Sequence, residues 1–77
     1  MPRYFFNIEN ASIDEDHDGT ELPGPAVARA QAVMFAGDYL RNDPGLVWGG
    51  HRLCVEVRDE AGRALLRAVI TAADPGA

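Results

Sequence analysis

The sequence predicts an α+β domain with one α-helix packed on a three-stranded antiparallel sheet, in the chain order β, short β or loop, α, β, β. Three observations predict it. An aromatic-rich stretch, Arg3 to Glu9, is bounded by Pro2 and Asn10 as a strand is. A helical apolar period runs from Pro25 to Arg41 and stops at Asn42-Asp43-Pro44-Gly45. Two β-rich runs, His51 to Arg58 and Arg63 to Thr71, flank the turn Asp59-Glu60-Ala61-Gly62.

In the first strand, period-two alternation sets Tyr4, Phe6 and Ile8 on a core face and Arg3, Phe5 and Asn7 opposite. The stretch from Asn10 to Pro25 reads as a loop, with room for a short strand around Thr20 to Leu22. Pro23-Gly24-Pro25 then opens the helix, because proline is tolerated where the N–H has no intrahelical partner. Along the helix, Phe35, Ala28, Tyr39, Ala32, Ala36, Leu40, Val33 and Ala26 share an arc of about 180° that only Arg29 interrupts. Its many alanines predict a close approach to the sheet, while Val27 and Met34 fall on the wet side. In the hairpin, Leu53, Val55 and Val57 face the helix, and Arg52, Cys54, Glu56 and Arg58 face away. The last strand is apolar on both faces apart from Arg67, which predicts that it is the central one.

The 77 residues make one domain, 1–77, with 72–77 expected as a loose tail. A chain of this size buries a modest core, and its single cysteine, Cys54, forbids an internal disulfide. A partner or a second copy is therefore the expected supplement to stability. The apolar run near the N-terminus is Tyr4-Phe5-Phe6 alone, too short for a secretory or membrane segment, so a cytoplasmic location is expected. The net charge is −5, and the segment from Glu9 to Glu21 holds acids but no lysine or arginine. That balance argues against general affinity for nucleic acid or anionic lipid.

Few residues carry chemistry. Asp14, Asp16 and Asp18 followed by Gly19 match the first half of a calcium loop, making them the metal candidate. The second half fails, since Pro25 stands where a bidentate glutamate belongs. An acidic solvated turn is the reading adopted. His51 and Cys54, three apart in a strand, diverge, so with His17 they do not make a zinc set. Ser12 is the only serine and lysine is absent, which predicts no catalytic residues, no cofactor and no enzyme. A single helix covers one sheet face, so Phe5, Cys54, Leu65 and Val69, rimmed by Arg3, Arg52 and Arg67, form the expected interface. A protein partner or self-association suits this face best. Single-stranded nucleic acid or another ligand stacked on Phe5 is the alternative.

The opening Met1-Pro2-Arg3-Tyr4-Phe5-Phe6-Asn7 carries a resemblance, together with Asp18-Gly19-Thr20-Glu21-Leu22-Pro23, the helix segment Ala28-Arg29-Ala30-Gln31-Ala32 and the closing Val55 to Arg63. Together they resemble a family of short proteobacterial proteins classed as a domain of unknown function. The resemblance implies the same β–loop–α–β–β layout and no assigned activity. It also implies that Arg29 is a typical helix residue reaching the acidic loop. The Asp43-to-Gly50 loop and the extra acids depart from that pattern. A looser similarity of layout, through Leu22-Pro23-Gly24 and the alanine-rich helix, links the first half to HicB-type antitoxins, which mask a toxin by protein contact.

Overall fold

The computed structural model describes residues 1–76. Strand β1 spans Arg3–Glu9, and two short strands follow, β2 at Ile13–Asp14 and β3 at Thr20–Glu21. Helix α1 spans Pro25–Asn42, with Pro25 in its first turn and Asp43 closing it by an N–H donated to the Tyr39 carbonyl at 2.9 Å. A 3-10 turn, Pro44–Val47, sits where an irregular loop was expected and buries Val47. The hairpin is β4, Arg52–Arg58, and β5, Ala64–Thr71. After Thr71 there is neither strand nor helix as far as residue 76, and the last residue of the expected loose tail, 77, lies outside the described residues. Among the described residues, no helix is long and apolar enough to cross a membrane.

The sheet has five strands, not three. Its order is β2-β1-β4-β5, with β3 also on β1, and every pairing is antiparallel. β2 pairs with Ile8 and Glu9 at one end of β1, while β3 pairs with Arg3 and Tyr4 at the other. Two-residue strands are too short to display a period, so β2 left no trace in the hydropathy pattern.

The expected strand order also needs correction. β4, not β5, is central: it lies between β1 and β5, and its residues Leu53 to Val57 are all buried. The reason lies in Glu56. A glutamate on the outer face argues for an edge, but arginines from two strands close over it, so β4 buries both faces at no cost in orphaned charge. β5 becomes the edge strand despite its apolar sequence.

The core joins Tyr4 and Phe6 of β1 to Leu53, Val55 and Val57 of β4 under Ala28, Ala32 and Ala36 of α1. Ile8 packs against it, as the alternation predicts. Leu53, Val55 and Val57 are wholly enclosed, each contributing roughly 1.5–3 kcal/mol. The alanines let α1 lie close to the sheet. Phe35 meets Phe6 edge to face, with centroids 5.0 Å apart. Val33, Tyr39 and Ala26, placed in the core by the helical arc, are exposed, because an alanine-lined contact narrows the buried stripe. Val27 and Met34 are exposed as expected.

Candidate functional site

The face of the sheet away from α1 is a cleft of about 720 Å³ rather than a bare apolar surface. Its floor is Phe5, Asn7, Cys54 and Glu56. The acidic loop walls one side and the Asp59–Gly62 turn another. The loop is held there by Asp16. One carboxylate oxygen accepts the N–H of Phe6 at 3.1 Å, and the other accepts those of Asp18 and Gly19 at 3.1 and 3.0 Å. Asp16 in turn donates its N–H to Asn7 Oδ1 at 3.0 Å. Burial alone pushes the Asp16 pKa up, but the N–H groups of Gly19, Phe6 and Asp18 outweigh it and hold the carboxyl below its ordinary value.

Gly19, in the left-handed region with φ of 75°, lies over Arg3 and Phe5, so close that a Cβ there would stand 2.6 Å from Arg3 Cγ and 2.9 Å from Phe5 Cε1. Arg3 is fixed as well: its guanidinium donates to the Asp18 carbonyl at 2.9 Å and to Glu21 at 3.1 Å. The calcium candidates Asp14, Asp16 and Asp18 thus have separate tasks, in β2, in stapling the loop and at its turn. Among the described residues, no group of three such side chains could hold a metal ion.

Glu56 is buried at the centre of the cleft floor. Arg58 Nε donates to one of its oxygens at 2.6 Å, and Arg67 donates to the other from both Nε, at 3.1 Å, and a terminal nitrogen, at 2.6 Å. Burial raises the Glu56 pKa, and the hydrogen bonds of Arg67 and Arg58 more than reverse that, leaving it below its ordinary value. Burial pushes the thiol of Cys54 up, so it stays protonated and inert.

Of the seven predicted interface residues, the cleft lining includes Phe5, Arg52, Cys54, Arg67 and Val69, while Arg3 lies beneath the loop. Leu65 is not on this face. A bulge sets Arg58 opposite Ala64 and Val57 opposite Leu66, and Leu65 is the extra residue, packed on the core beside Leu66. Arg29 does not reach the acidic loop. It donates from Nε to the Leu65 carbonyl at 3.2 Å, tying α1 to β5.

The sheet edge left open is the far side of β5, which pairs with no strand among the described residues. Its polarity can be counted across the sheet. Phe6 turns its N–H to Asp16, away from β4, and stands opposite Val57. Val57 therefore turns its N–H and C=O to β5, where it meets Leu66. Alternation then sends the N–H and C=O of Arg67, Val69 and Thr71 out to the open edge. Val69 is 48% exposed, and Arg67, the only charge on the strand, is bound to Glu56. Beside this edge, the Arg29 flank of α1 carries Val33, which is 54% exposed. Sequence reasoning missed this edge because it had set β5 at the centre.

A small α+β domain with a stapled loop and an open edge is the class these features define. Residues 3–71 match the family described as Domain of unknown function (DUF6894), and the chain belongs to that family. No curated protein and no solved structure matches it. The family match carries no statement about bacterial source or about HicB-type antitoxins.

Proposed function

We propose that this domain is a non-catalytic protein–protein interaction module that takes a partner through the open edge of β5. The observation that carries the reading is the edge itself: eight residues whose one charge, Arg67, is bound to Glu56, with the main-chain groups of Arg67, Val69 and Thr71 unengaged by any strand among the described residues. Such an edge lacks the lysines, prolines and cover that keep edges from pairing, and it is a template for another strand. The free, buried Cys54, the chain's only cysteine, suits a reducing cytoplasmic setting.

The alternative, single-stranded nucleic acid on the outer face, is disfavoured by charge. Six carboxylates and three arginines line the cleft. Arg58 and Arg67 are bound to Glu56, Arg52 lies 3.9 Å from Glu9, and Gly19 lies over Phe5. That leaves neither a spare cation for phosphate nor an open ring for stacking. A photo-crosslinking residue in place of Val69, introduced in the native cell, tests the module. Protein adducts at Val69 but not at exposed Asp38 are expected. Equal labelling at both positions, or none at Val69, overturns the reading.

A further inference from the structure

The β5 edge is complementary to itself. Only Arg67, Val69 and Thr71 offer outward N–H and C=O groups, so an antiparallel copy must match outward residues to outward residues. Centring the pair on Arg67 sets two arginines directly opposite, which is unfavourable. Centring it on Val69 engages all three outward residues but overlaps only Arg67 to Thr71, which leaves Leu66 with no strand residue opposite it. Centring it on Ala68 pairs Arg67 with Val69 of the other copy, and on the helix side stacks Leu66 on Ile70 and Ala68 on Ala68. From Leu66 to Ile70 every facing pair is then apolar or holds a single arginine paired within its own chain with Glu56, and Thr71 falls opposite Leu65.

The helices fit the same arrangement. The two-fold axis of an antiparallel strand pair stands perpendicular to the sheet, so both copies of α1 lie on one face. α1 packs on β4 and β5. Two helices so placed lie about two strand spacings apart, roughly 10 Å, which is ordinary helix-packing distance. The flanks that meet are those beyond Arg29. Phe35 against Phe6 turns one side of α1 to β1, and Arg29 against Leu65 turns the other to the open edge. Ala26, Val33 and Gly37 follow on that side and all are exposed. They are small enough for close approach, and they add the apolar area that strand pairing alone lacks.

Resting on the interaction module proposed above, we infer that the partner of β5 is a second copy of this chain, paired antiparallel about Ala68 into one continuous sheet with both helices on the same face. The test is disulfide trapping in a Cys54→Ala background. Opposed Ala68 positions form a non-hydrogen-bonded pair, with Cα atoms about 4.5 Å apart, within disulfide reach. Ala68→Cys should yield a covalent dimer in a mild redox buffer at least about tenfold faster than Val69→Cys. Light scattering on the unmodified chain, which needs no variant to fold, should give twice the monomer mass at high concentration. Faster trapping at Val69→Cys overturns the register, and a monomer at all concentrations overturns self-pairing. If the chain is monomeric while Val69 crosslinks a different protein in the cell, self-pairing falls and the module stands; if Val69 crosslinks nothing, both fall.

Discussion

The Asp16 carboxylate accepts the main-chain N–H of Phe6 at 3.1 Å, so one side chain fills the gap between β2 and β3 on the edge of β1. An edge that would otherwise present an orphan donor is closed by a loop, and β5 is left as the open side.

Replacing Asp16 therefore detaches the loop. Asp16→Ala strands three N–H groups and should lower stability by about 1–3 kcal/mol at neutral pH. The sign with pH follows from a folded pKa held below its ordinary value. The contribution is fully present above the unfolded carboxylate value of about 3.9 and is lost as pH falls through the lower folded value. Urea unfolding at pH 7 and near pH 2 checks this. A deficit of equal size at both would rule out the charged carboxylate as the cause.

Gly19 and Gly62 separate packing from backbone preference. Both have positive φ, 75° and 82°, but a Cβ at Gly62 meets nothing within 4 Å, whereas at Gly19 it runs into Arg3 and Phe5. Gly62→Ala should cost about 1 kcal/mol from the left-handed backbone alone. Gly19→Ala should cost roughly 1–3 kcal/mol more, because Arg3 Cγ and the Phe5 ring must shift. Thermal melts of the two variants read the difference. Equal losses would show that the loop does not sit tightly on the sheet.

How much of this was legible follows from which residues obey a period. Tyr4, Phe6 and Ile8 alternate cleanly, and α1 lies between proline and an Asn-Asp-Pro-Gly stop, so both elements could be read. The inward turn of Leu65 could not, because a bulge adds a residue without marking the sequence. Nor could the central place of β4: Glu56 looks like an edge residue until the register brings Arg67 opposite it. Asp14, Asp16 and Asp18 have ligand spacing, yet Asp16 spends its oxygens on main-chain donors of its own loop and of β1, a use that spacing alone does not reveal.

Glu56 and its two arginines should behave as a unit. Arg67→Ala leaves Glu56 with Arg58, and Arg58→Ala leaves it with Arg67, so each alone should lower stability only slightly. Both side chains are themselves well exposed and regain water when released. The double variant strands a buried carboxylate and should cost about 3–5 kcal/mol, well beyond the sum. A double-mutant cycle by denaturant unfolding measures this. Simple additivity would mean that Glu56 reaches water unaided.

The contact of α1 with the sheet depends on alanine at Ala28, Ala32 and Ala36, which are 0%, 0% and 4% exposed. A larger side chain there must push the helix off Leu53, Val55 and Val57, since no gap remains to receive it. Ala32→Leu should therefore lose about 1–3 kcal/mol although it adds apolar surface. In a domain of this size each kcal/mol moves Tm by roughly 4–8 °C, so a drop of about 4–24 °C is expected. Gly37, exposed on the same helix with nothing within 4 Å of its added Cβ, supplies the opposite case. Gly37→Ala should raise stability by about 0.5–1 kcal/mol through helix propensity alone. Melts at low concentration, where self-pairing does not contribute, give both values. If Ala32→Leu were neutral, the close seating of α1 on β4 would be wrong.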